Sequence, residues 1–222
     1  MSHAGWSQAL ACADVFKGEG RILASAFGEA PRLGARLAKA TFAPELVLTD
    51  GGTTIVDAEG TPQGHLTFSR VFDLVWAGRR HAILGASQLD RHGNANLSCI
   101  GAWAQPKIQL LGARGLPGNT RCHGCSYWIP KHSKRVFVDA VDFVSGLGTN
   151  RGAHELRAVI SDLGVFDFSG PDGTLRLRTL HPGATLDQVQ ERTPFPVSVA
   201  DDLAQTRGPT DQERALLSRW TA

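Results

Sequence analysis

The sequence predicts one α/β domain over residues 1–222, with an open, mainly parallel or mixed sheet and helices on both of its faces. In the first half, short apolar runs typical of buried strands alternate with segments of helical periodicity, which is the pattern of a parallel sheet covered by helices. In the second half, strand-like runs follow one another, which favours a mixed sheet. Because no linker, repeat or low-complexity segment interrupts the chain, we predict no second domain.

The first elements follow this alternation. We predict a helix over residues 7–16, a short strand at 21–23, and a helix over 29–40 whose apolar residues recur at i, i+4 and i+7. The chain then continues with a strand at 46–48, a tight turn at 49–52, a loop or hairpin over 53–66, and a buried strand at 82–84.

The clearest helical pattern lies just before this last strand. Its large apolar residues fall at i, i+3, i+4, i+7 and i+8, as on one face of a helix: Phe68, Val71, Phe72, Val75 and Trp76. Gly78 follows them in the manner of a C-terminal cap. We interpret this stripe as core packing rather than as a cofactor contact.

The second half is richer in strands. A predicted strand at 108–111 runs directly into the glycine-rich segment 112–119, and residues 135–144 contain further apolar bursts. Strands are expected at 158–160, 165–168 and 175–178. Two capping-box patterns predict helix starts, one formed by Thr185 and Gln188 and the other, before the terminal helix, by Thr210 and Glu213.

The bulk composition is that of an ordinary soluble globular protein, with 42% hydrophobic and 20% charged residues. A formal net charge of +2 creates no strong field toward nucleic acid or an acidic membrane, so we expect neither as a partner. No apolar stretch approaches the roughly 18 residues of a membrane span. The absence of a leader pattern and of a disulfide framework among four cysteines predicts a reducing cytoplasm.

Two cysteines at C-x-x-C spacing, Cys122 and Cys125, flank His123. A zinc site needs two further ligands at a suitable spacing, and Cys12 and Cys99 are isolated in the sequence. We therefore predict no metal site.

Three polar, glycine-bearing turns follow three predicted strands, at residues 49–52, 85–96 and 112–119. Parallel strands point the same way, so such turns gather at one edge of the sheet, where their N–H groups and side-chain amides can converge on a ligand. No dinucleotide fingerprint, P-loop or G-x-S-x-G elbow is present. The pattern therefore predicts a ligand site at the carboxyl edge of the strands, without excluding that each turn is only a polar connection.

A family signature is carried by Gly85-Ala86-x-Gln88-x-Asp90-x-x-Gly93-Asn94-x-Asn96, which resembles that of the β-subunit of family I CoA-transferases, of the glutaconate CoA-transferase type. The turn Gly115-x-Pro117-Gly118-Asn119 matches the glycine-rich turn that follows it in that family. A C-terminal cassette also fits, through residues 159–166, 175–177, 181–185 and 191–193.

This resemblance implies an α/β fold shared with sugar-phosphate isomerases. It also implies a partner α-subunit, in an αβ or α2β2 assembly, with an active site at the interface between the two subunits. The substrate it implies is an acyl-CoA, in which CoA is part of the thioester, so no separate cofactor is expected.

The chain departs from the transferases at the turn that holds their nucleophile. There, the glutamate of a Ser-Glu-Asn-Gly turn attacks a thioester and passes through an anhydride to an enzyme–CoA thioester. Here the turn reads Thr49-Asp50-Gly51-Gly52, with a carboxylate one methylene shorter. A misplacement of 1 Å can cost about a hundredfold in rate, so Asp50 is poorly suited to covalent transfer; its structural alternative is a turn cap.

A further segment, Ser126-Tyr127-Trp128-Ile129-Pro130-Lys131-His132-Ser133, resembles the Ser-Tyr-Trp-x-Pro-x-His segment of a subgroup that lacks the nucleophilic glutamate. That subgroup is the two-subunit hydrolase that opens the last steroid ring in bacterial cholesterol and bile-acid degradation. The resemblance implies that water cleaves a carbon–carbon bond of a cyclic β-keto thioester in a retro-Claisen sense. It places the acid/base glutamate on the partner subunit.

The resemblance also implies roles for individual residues. Asp50 positions water. The backbone N–H groups of the Asp50-Gly51-Gly52 turn, with the side-chain amides of Gln88 and of Asn94 or Asn96, donate to the enolate or oxyanion. Contacts to the CoA thioester and its pantetheine arm are expected from Thr49, Gly51, Gly52, Gly115, Pro117, Gly118 and Asn119. Two alternatives stay open: a CoA-transferase β-subunit that uses Asp50 as its nucleophile, and an acyl-CoA-binding subunit without catalysis of its own.

Overall fold

The computed structural model describes residues 3–50, 52–67, 69, 70, 73 and 79–221. Its helices are α1 (His3–Asp14), α2 (Glu29–Thr41), α3 (Leu116–Cys122), α4 (Leu186–Glu191) and α5 (Asp211–Thr221). Its strands are β1 (Leu23–Ala26), β2 (Val47–Thr49), β3 (Thr54–Val56), β4 (Pro62–His65), β5 (Arg80–Leu84), β6 (Gln88–Leu89), β7 (Ala95–Asn96), β8 (Cys99–Ile100), β9 (Ile108–Gln109), β10 (Gly124–Ile129), β11 (Glu155–Ser161), β12 (Gly164–Asp167), β13 (Arg176–Leu180) and β14 (Ser198–Gln205).

Within the described part of the chain, one sheet of ten strands forms the centre, in the order β14-β13-β12-β11-β10-β5-β1-β2-β3-β4. The five strands from β11 to β2 are parallel. Antiparallel strands extend the sheet on both sides of this block, β12 next to β11 and β3 next to β2. The prediction of a mainly parallel, mixed sheet is therefore confirmed.

The central strands are buried on both faces because successive apolar side chains point to opposite sides. In β5, Ile83 joins a core with α1, α2 and α5, whereas Ala82 and Leu84 join a second core on the opposite face. The second core includes Leu116 of α3 and Val189 of α4. Helices therefore cover both faces, as predicted, although the second face carries only the two short ones.

The helical predictions with local signals are confirmed. Helix α2 covers the predicted segment and packs closely on α1, where a Cβ at Gly34 would stand 2.6 Å from the Ala9 carbonyl oxygen. The capping box at Thr185 is present in both directions. In the terminal helix, Glu213 and Thr210 exchange backbone-to-side-chain hydrogen bonds of 2.8 and 3.2 Å.

Several strand predictions are wrong. The expected strand at 108–111 is the two-residue β9, which pairs with β8 outside the main sheet. The first strand begins two residues later than its pattern indicates. Two strands of the ten-stranded sheet have no sequence prediction, namely β14 and the central β10. The predicted helix at Phe68, Val71, Phe72, Val75 and Trp76, with Gly78 as its cap, lies outside the described residues.

In the described ranges, no helix has the length and apolar character needed to cross a membrane.

Candidate active site

The carboxyl ends of three parallel strands meet at one edge of the sheet. Strand β1 pairs with β2 on one side and with β5 on the other. Asp50 follows β2, and the segment 85–87 follows β5, so the two turns are separated by two strand spacings, about 10 Å. Two of the three predicted turns therefore begin at the same edge.

Asp50 is an exposed carboxylate that also caps its own turn. Its Oδ1 accepts hydrogen bonds from the N–H groups of Gly52, at 2.8 Å, and Thr54, at 3.2 Å. Burial acts to raise the pKa of Asp50, but these hydrogen bonds outweigh it and lower the pKa. Asp50 is therefore a fixed anion at neutral pH. Gly51, a predicted contact beside it, lies outside the described residues, whereas Gly52 is exposed in the turn.

Helix α2 begins beside Asp50, a feature that the sequence analysis missed. Its N-cap is Gly28, which has no side chain to cap the first turn. A cavity of about 310 Å³ runs from Glu29 and Asp50 along α2 toward Trp220. The first N–H groups of a helix attract negative charge, so this position suits a developing oxyanion. The sequence signal that could have revealed this position is Gly28, a glycine that lies between an apolar strand and a helix.

The signature segment does not remain at this edge. It forms the β6–β7 hairpin, in which Gln88 pairs with Asn96. Past β6, Gly93 packs against Phe168 and Leu156, the latter near the start of β11. The hairpin therefore descends over a face of the sheet, toward the edge opposite to Asp50.

The amides of this hairpin bind one another and the loop at 142–150. Asn96 Nδ2 donates to Gln88 Oε1 at 2.7 Å and to the Cys99 carbonyl at 2.6 Å. Asn94 Nδ2 donates to Asp90 Oδ2 at 2.8 Å and to Asn150 Oδ1 at 3.0 Å. Because an amide nitrogen has two hydrogens, both donors are fully used. In this arrangement neither amide has a hydrogen left for an oxyanion, and the expected donation from Asn94 and Asn96 to substrate stays a prediction.

Gln88 differs from the two asparagines. Its Nε2 donates to Asp142 Oδ2 at 2.9 Å, and its Oε1 accepts from the Asp142 N–H at 2.9 Å. Only one of its two amide hydrogens has a partner among the described residues. Gln88 is 7% exposed, and its expected role on substrate stays a prediction.

The third turn lies elsewhere. Gly115, Pro117, Gly118 and Asn119 form the start of α3 rather than a loop after a sheet strand. Asn119 is buried and accepts a 2.9 Å hydrogen bond from Arg80, the first residue of β5. The predicted convergence of this turn on Asp50 is wrong because Asn119 lies at the amino edge of the sheet. Thr49, in contrast, is buried at the end of β2 beside Asp50.

His132 is a structural residue. Its ring nitrogens lie 3.0 Å from Ser161 Oγ and 2.9 Å from Thr193 Oγ1, and the ring stacks on Phe137 at 4.0 Å between centroids. Burial lowers the pKa of His132 to about 4, so the ring is neutral at physiological pH. We infer that it joins the loop after β10 to the C-terminal part of the chain.

The C-x-x-C pair is divided between two elements. Cys122 ends α3, whereas Cys125 is fully buried in β10, where burial raises the pKa of its thiol to about 12. In the described ranges, no three His, Cys, Asp or Glu side chains are placed to hold a metal ion.

A serine–histidine–glutamate array lies inside the sheet. His81 Nε2 is 3.0 Å from Ser126 Oγ, and His81 Nδ1 is 2.9 Å from Glu19 Oε1. The order matches a hydrolytic triad, but Ser126 is completely buried. Because no substrate can reach its hydroxyl, we interpret the array as a buried polar network.

The fold agrees with that of known proteins that this chain resembles. The family model described as Coenzyme A transferase matches residues 63–192, and the chain belongs to this family. It is 48% identical over 223 residues to the cholesterol ring-cleaving hydrolase IpdB subunit of Rhodococcus jostii, covering 94% of this chain and 88% of that protein.

Solved structures give the same result for the fold. The crystal structure of Rhodococcus jostii RHA1 IpdAB superimposes with a TM-score of 0.92 at 47% identity, covering 98% of this chain and 93% of that chain. Glutaconate coenzyme A-transferase from Acidaminococcus fermentans superimposes with a TM-score of 0.80 at 20% identity, covering 96% and 92%. The latter likeness concerns the fold alone.

Proposed function

We propose that this chain is the β-type subunit of a two-subunit hydrolase that opens a cyclic β-keto acyl-CoA in steroid-ring catabolism. One observation carries the proposal: 48% identity, over 94% of the chain, to a cholesterol ring-cleaving hydrolase subunit. The substrate class follows from the resemblance of the signature and of the Ser126–Ser133 segment.

The turn at Asp50 supports hydrolysis over covalent transfer. A transferase needs a carboxylate that reaches the thioester carbon in a near-attack geometry. Asp50 is one methylene shorter than the family glutamate, and its Oδ1 is held by Gly52 and Thr54. A carboxylate fixed in this way is better suited to orienting a water molecule than to attacking a thioester.

The reaction needs water to add to the ring ketone and the carbon–carbon bond to break. The ketone carbon becomes a carboxylate, and the electron pair of the broken bond becomes a thioester enolate that takes up a proton. We assign the oxyanion to the first turn of α2 and the orientation of water to Asp50. The described residues at this edge contain no nucleophile paired with a general base, which supports an acid/base group on the partner.

An exposed apolar surface supports the proposal that this chain binds a partner subunit. Trp103, Ile108 and Leu111 are 62%, 48% and 88% exposed, and Trp103 stacks on Phe143 at 4.7 Å. Three large exposed apolar side chains within nine positions are typical of an interaction surface. We propose that an α-type subunit covers this surface, which we call the β8–β9 patch, in an αβ or α2β2 assembly.

We further propose that the enzyme needs no separate cofactor, since CoA enters as part of the substrate. The described structure records all four cysteines as free, which supports a reducing cytoplasm.

The test uses the complex with its α-subunit and a cyclic β-keto acyl-CoA in heavy-oxygen water. Mass spectrometry should find a ring-opened CoA product with one labelled carboxylate oxygen and no CoA adduct on the protein. A covalent CoA thioester at Asp50 would instead establish the second candidate, a CoA-transferase. Binding without turnover by the intact complex would support the non-catalytic alternative.

A further inference from the structure

A second cavity, of about 230 Å³, lies at the edge of the sheet opposite to Asp50. Arg80, Gly124 and Glu155 stand at the first positions of the neighbouring strands β5, β10 and β11 and line this cavity. Its remaining wall is formed by Glu19, Ile22, Arg79, Cys122, His123, His154 and Arg157. We call it the amino-edge cavity.

The two carboxylates of this cavity share the guanidinium group of Arg157. Arg157 donates to Glu155 Oε1 at 2.8 Å and also to Glu19. Glu19 Oε1 lies 2.9 Å from His81 as well. The acidic groups of the wall are therefore bound within one network, and the three arginines of the wall exceed its two carboxylates by one positive charge.

Among the three arginines, Arg80 is notable because it is partly buried without a counter-ion. Its guanidinium donates to Ser25 Oγ and to Asn119 Oδ1, both at 2.9 Å and both neutral acceptors. Across the described ranges, no carboxylate lies within 4 Å of it. Burial lowers the pKa of Arg80, which reflects the cost of removing this charge from water. A desolvated guanidinium without an opposite charge is unfavourable, and an anion in the cavity would relieve that cost.

We propose that the amino-edge cavity binds a phosphoryl anion, either inorganic phosphate or the phosphate of a small phosphomonoester. Guanidinium groups match the oxygens of phosphate in a bidentate manner, and Arg79 stands directly beside Arg80 in the wall. His123 and His154 add ring nitrogens to the same wall. The volume exceeds that of one phosphate, so an attached small group has room. This site is separate from the candidate active site because it lies at the opposite ends of the same strands.

The test is isothermal titration calorimetry on the assembled two-subunit protein at constant ionic strength, with inorganic phosphate, glycerol 3-phosphate and acetate as separate probes. We expect saturable binding of phosphate, and tighter binding of glycerol 3-phosphate if a phosphomonoester is the source. Arg80→Met should weaken the phosphate Kd roughly tenfold or more, since a charge-assisted contact is lost. Arg214→Gln, at an exposed arginine of α5, is the matched control and should change nothing.

Arg79→Gln is a second test of the cavity in case Arg80→Met does not fold. Arg79 is exposed, so its replacement leaves the interior intact. We expect it to weaken phosphate binding as well. Absence of phosphate binding to the wild-type complex would overturn the proposal. Unchanged affinity in both arginine variants, or equal affinity for acetate and phosphate, would also overturn it.

Discussion

Gln88 and Asn96 face each other across the β6–β7 hairpin, where Asn96 Nδ2 donates to Gln88 Oε1 over 2.7 Å. Gln88 in turn holds Asp142, fifty-four positions further along the chain, through both its amide oxygen and its amide nitrogen. The amide-rich signature of this chain therefore serves as a scaffold that fixes the loop at 142–150 onto the sheet.

This scaffold role predicts that Asn96→Asp destabilises the fold. Asn96 is fully buried, and the change replaces two donated hydrogen bonds by a carboxylate facing the oxygens of Gln88 and Cys99. We expect a loss of roughly 3 kcal/mol or more in the free energy of unfolding, measured by urea titration. Gln105→Glu, an amide-to-acid change at an exposed site, is the control. Loss of activity at unchanged stability would instead assign the Asn96 amide to the substrate.

Asp50 can be tested against a residue with the same turn geometry. Asp57 Oδ1 accepts from the N–H groups of Glu59 and Thr61, at the same i+2 and i+4 spacing that Asp50 uses. Asp50→Asn should lower kcat/KM for ring opening by about tenfold to a hundredfold because it removes the fixed anion, while Asp57→Asn should leave it unchanged. Equal activity of the two variants would show that Asp50 only caps its turn and has no role in the reaction.

The β8–β9 patch predicts a specific loss of assembly. Leu111→Glu should weaken binding of the α-type subunit by at least about tenfold, because a charge would be placed in an apolar contact. Phe42→Glu is the matched control, since Phe42 is 37% exposed and belongs to the turn after α2. Analytical ultracentrifugation of the mixed subunits measures the change. Normal association of Leu111→Glu would place the partner elsewhere.

His132 predicts a decline of stability in mild acid. Its pKa is about 4 in the folded protein and about 6.5 in an unperturbed histidine, so below pH 6.5 the unfolded chain binds a proton that the folded chain does not. Stability should fall as the pH drops from 6.5 to 4 and then level off, by roughly 3 kcal/mol in total from this residue. Burial lowers the pKa of His81 and His181 as well, which acts in the same direction.

Urea unfolding at pH 7.5 and pH 5 measures this effect. His132→Gln should reduce the difference between the two pH values, whereas the exposed His65→Gln should not. An unchanged pH dependence in His132→Gln would show that His132 is protonated without cost in the folded state.

Gly93 should not tolerate a side chain. Its φ is +78°, and a Cβ there would stand 2.6 Å from Phe168 and 2.8 Å from Leu156. Gly93→Ala should therefore cost roughly 2 to 5 kcal/mol, from backbone strain and overpacking together. Gly183→Ala isolates the first cause, because Gly183 has a φ of +85° and nothing within 4 Å of its Cβ position. Equal melting temperatures of the two variants would contradict the packing argument.

The sequence by itself determined the elements whose signals are local. Helix α2 followed from periodicity, the starts of α4 and α5 followed from capping boxes, and the β5 and β11–β13 strands followed from short apolar runs. The family followed from motifs in their order along the chain. The central strand β10 was missed because it is buried on both faces and contains Cys125 and Ser126, so it shows neither a continuous apolar run nor a polar alternation.

Only the tertiary structure decided what the signature residues do. The sequence does not distinguish an exposed side-chain amide from a buried one. Gln88 and Asn94 form hydrogen bonds with Asp142 and Gly148, and each partner is fifty-four positions away along the chain. The lack of a counter-ion beside Arg80 is also a tertiary property, because it depends on which residues the first positions of β5, β10 and β11 bring together. Hydrogen bonds and desolvation depend on which groups the fold brings together, and spacing along the chain does not contain that information.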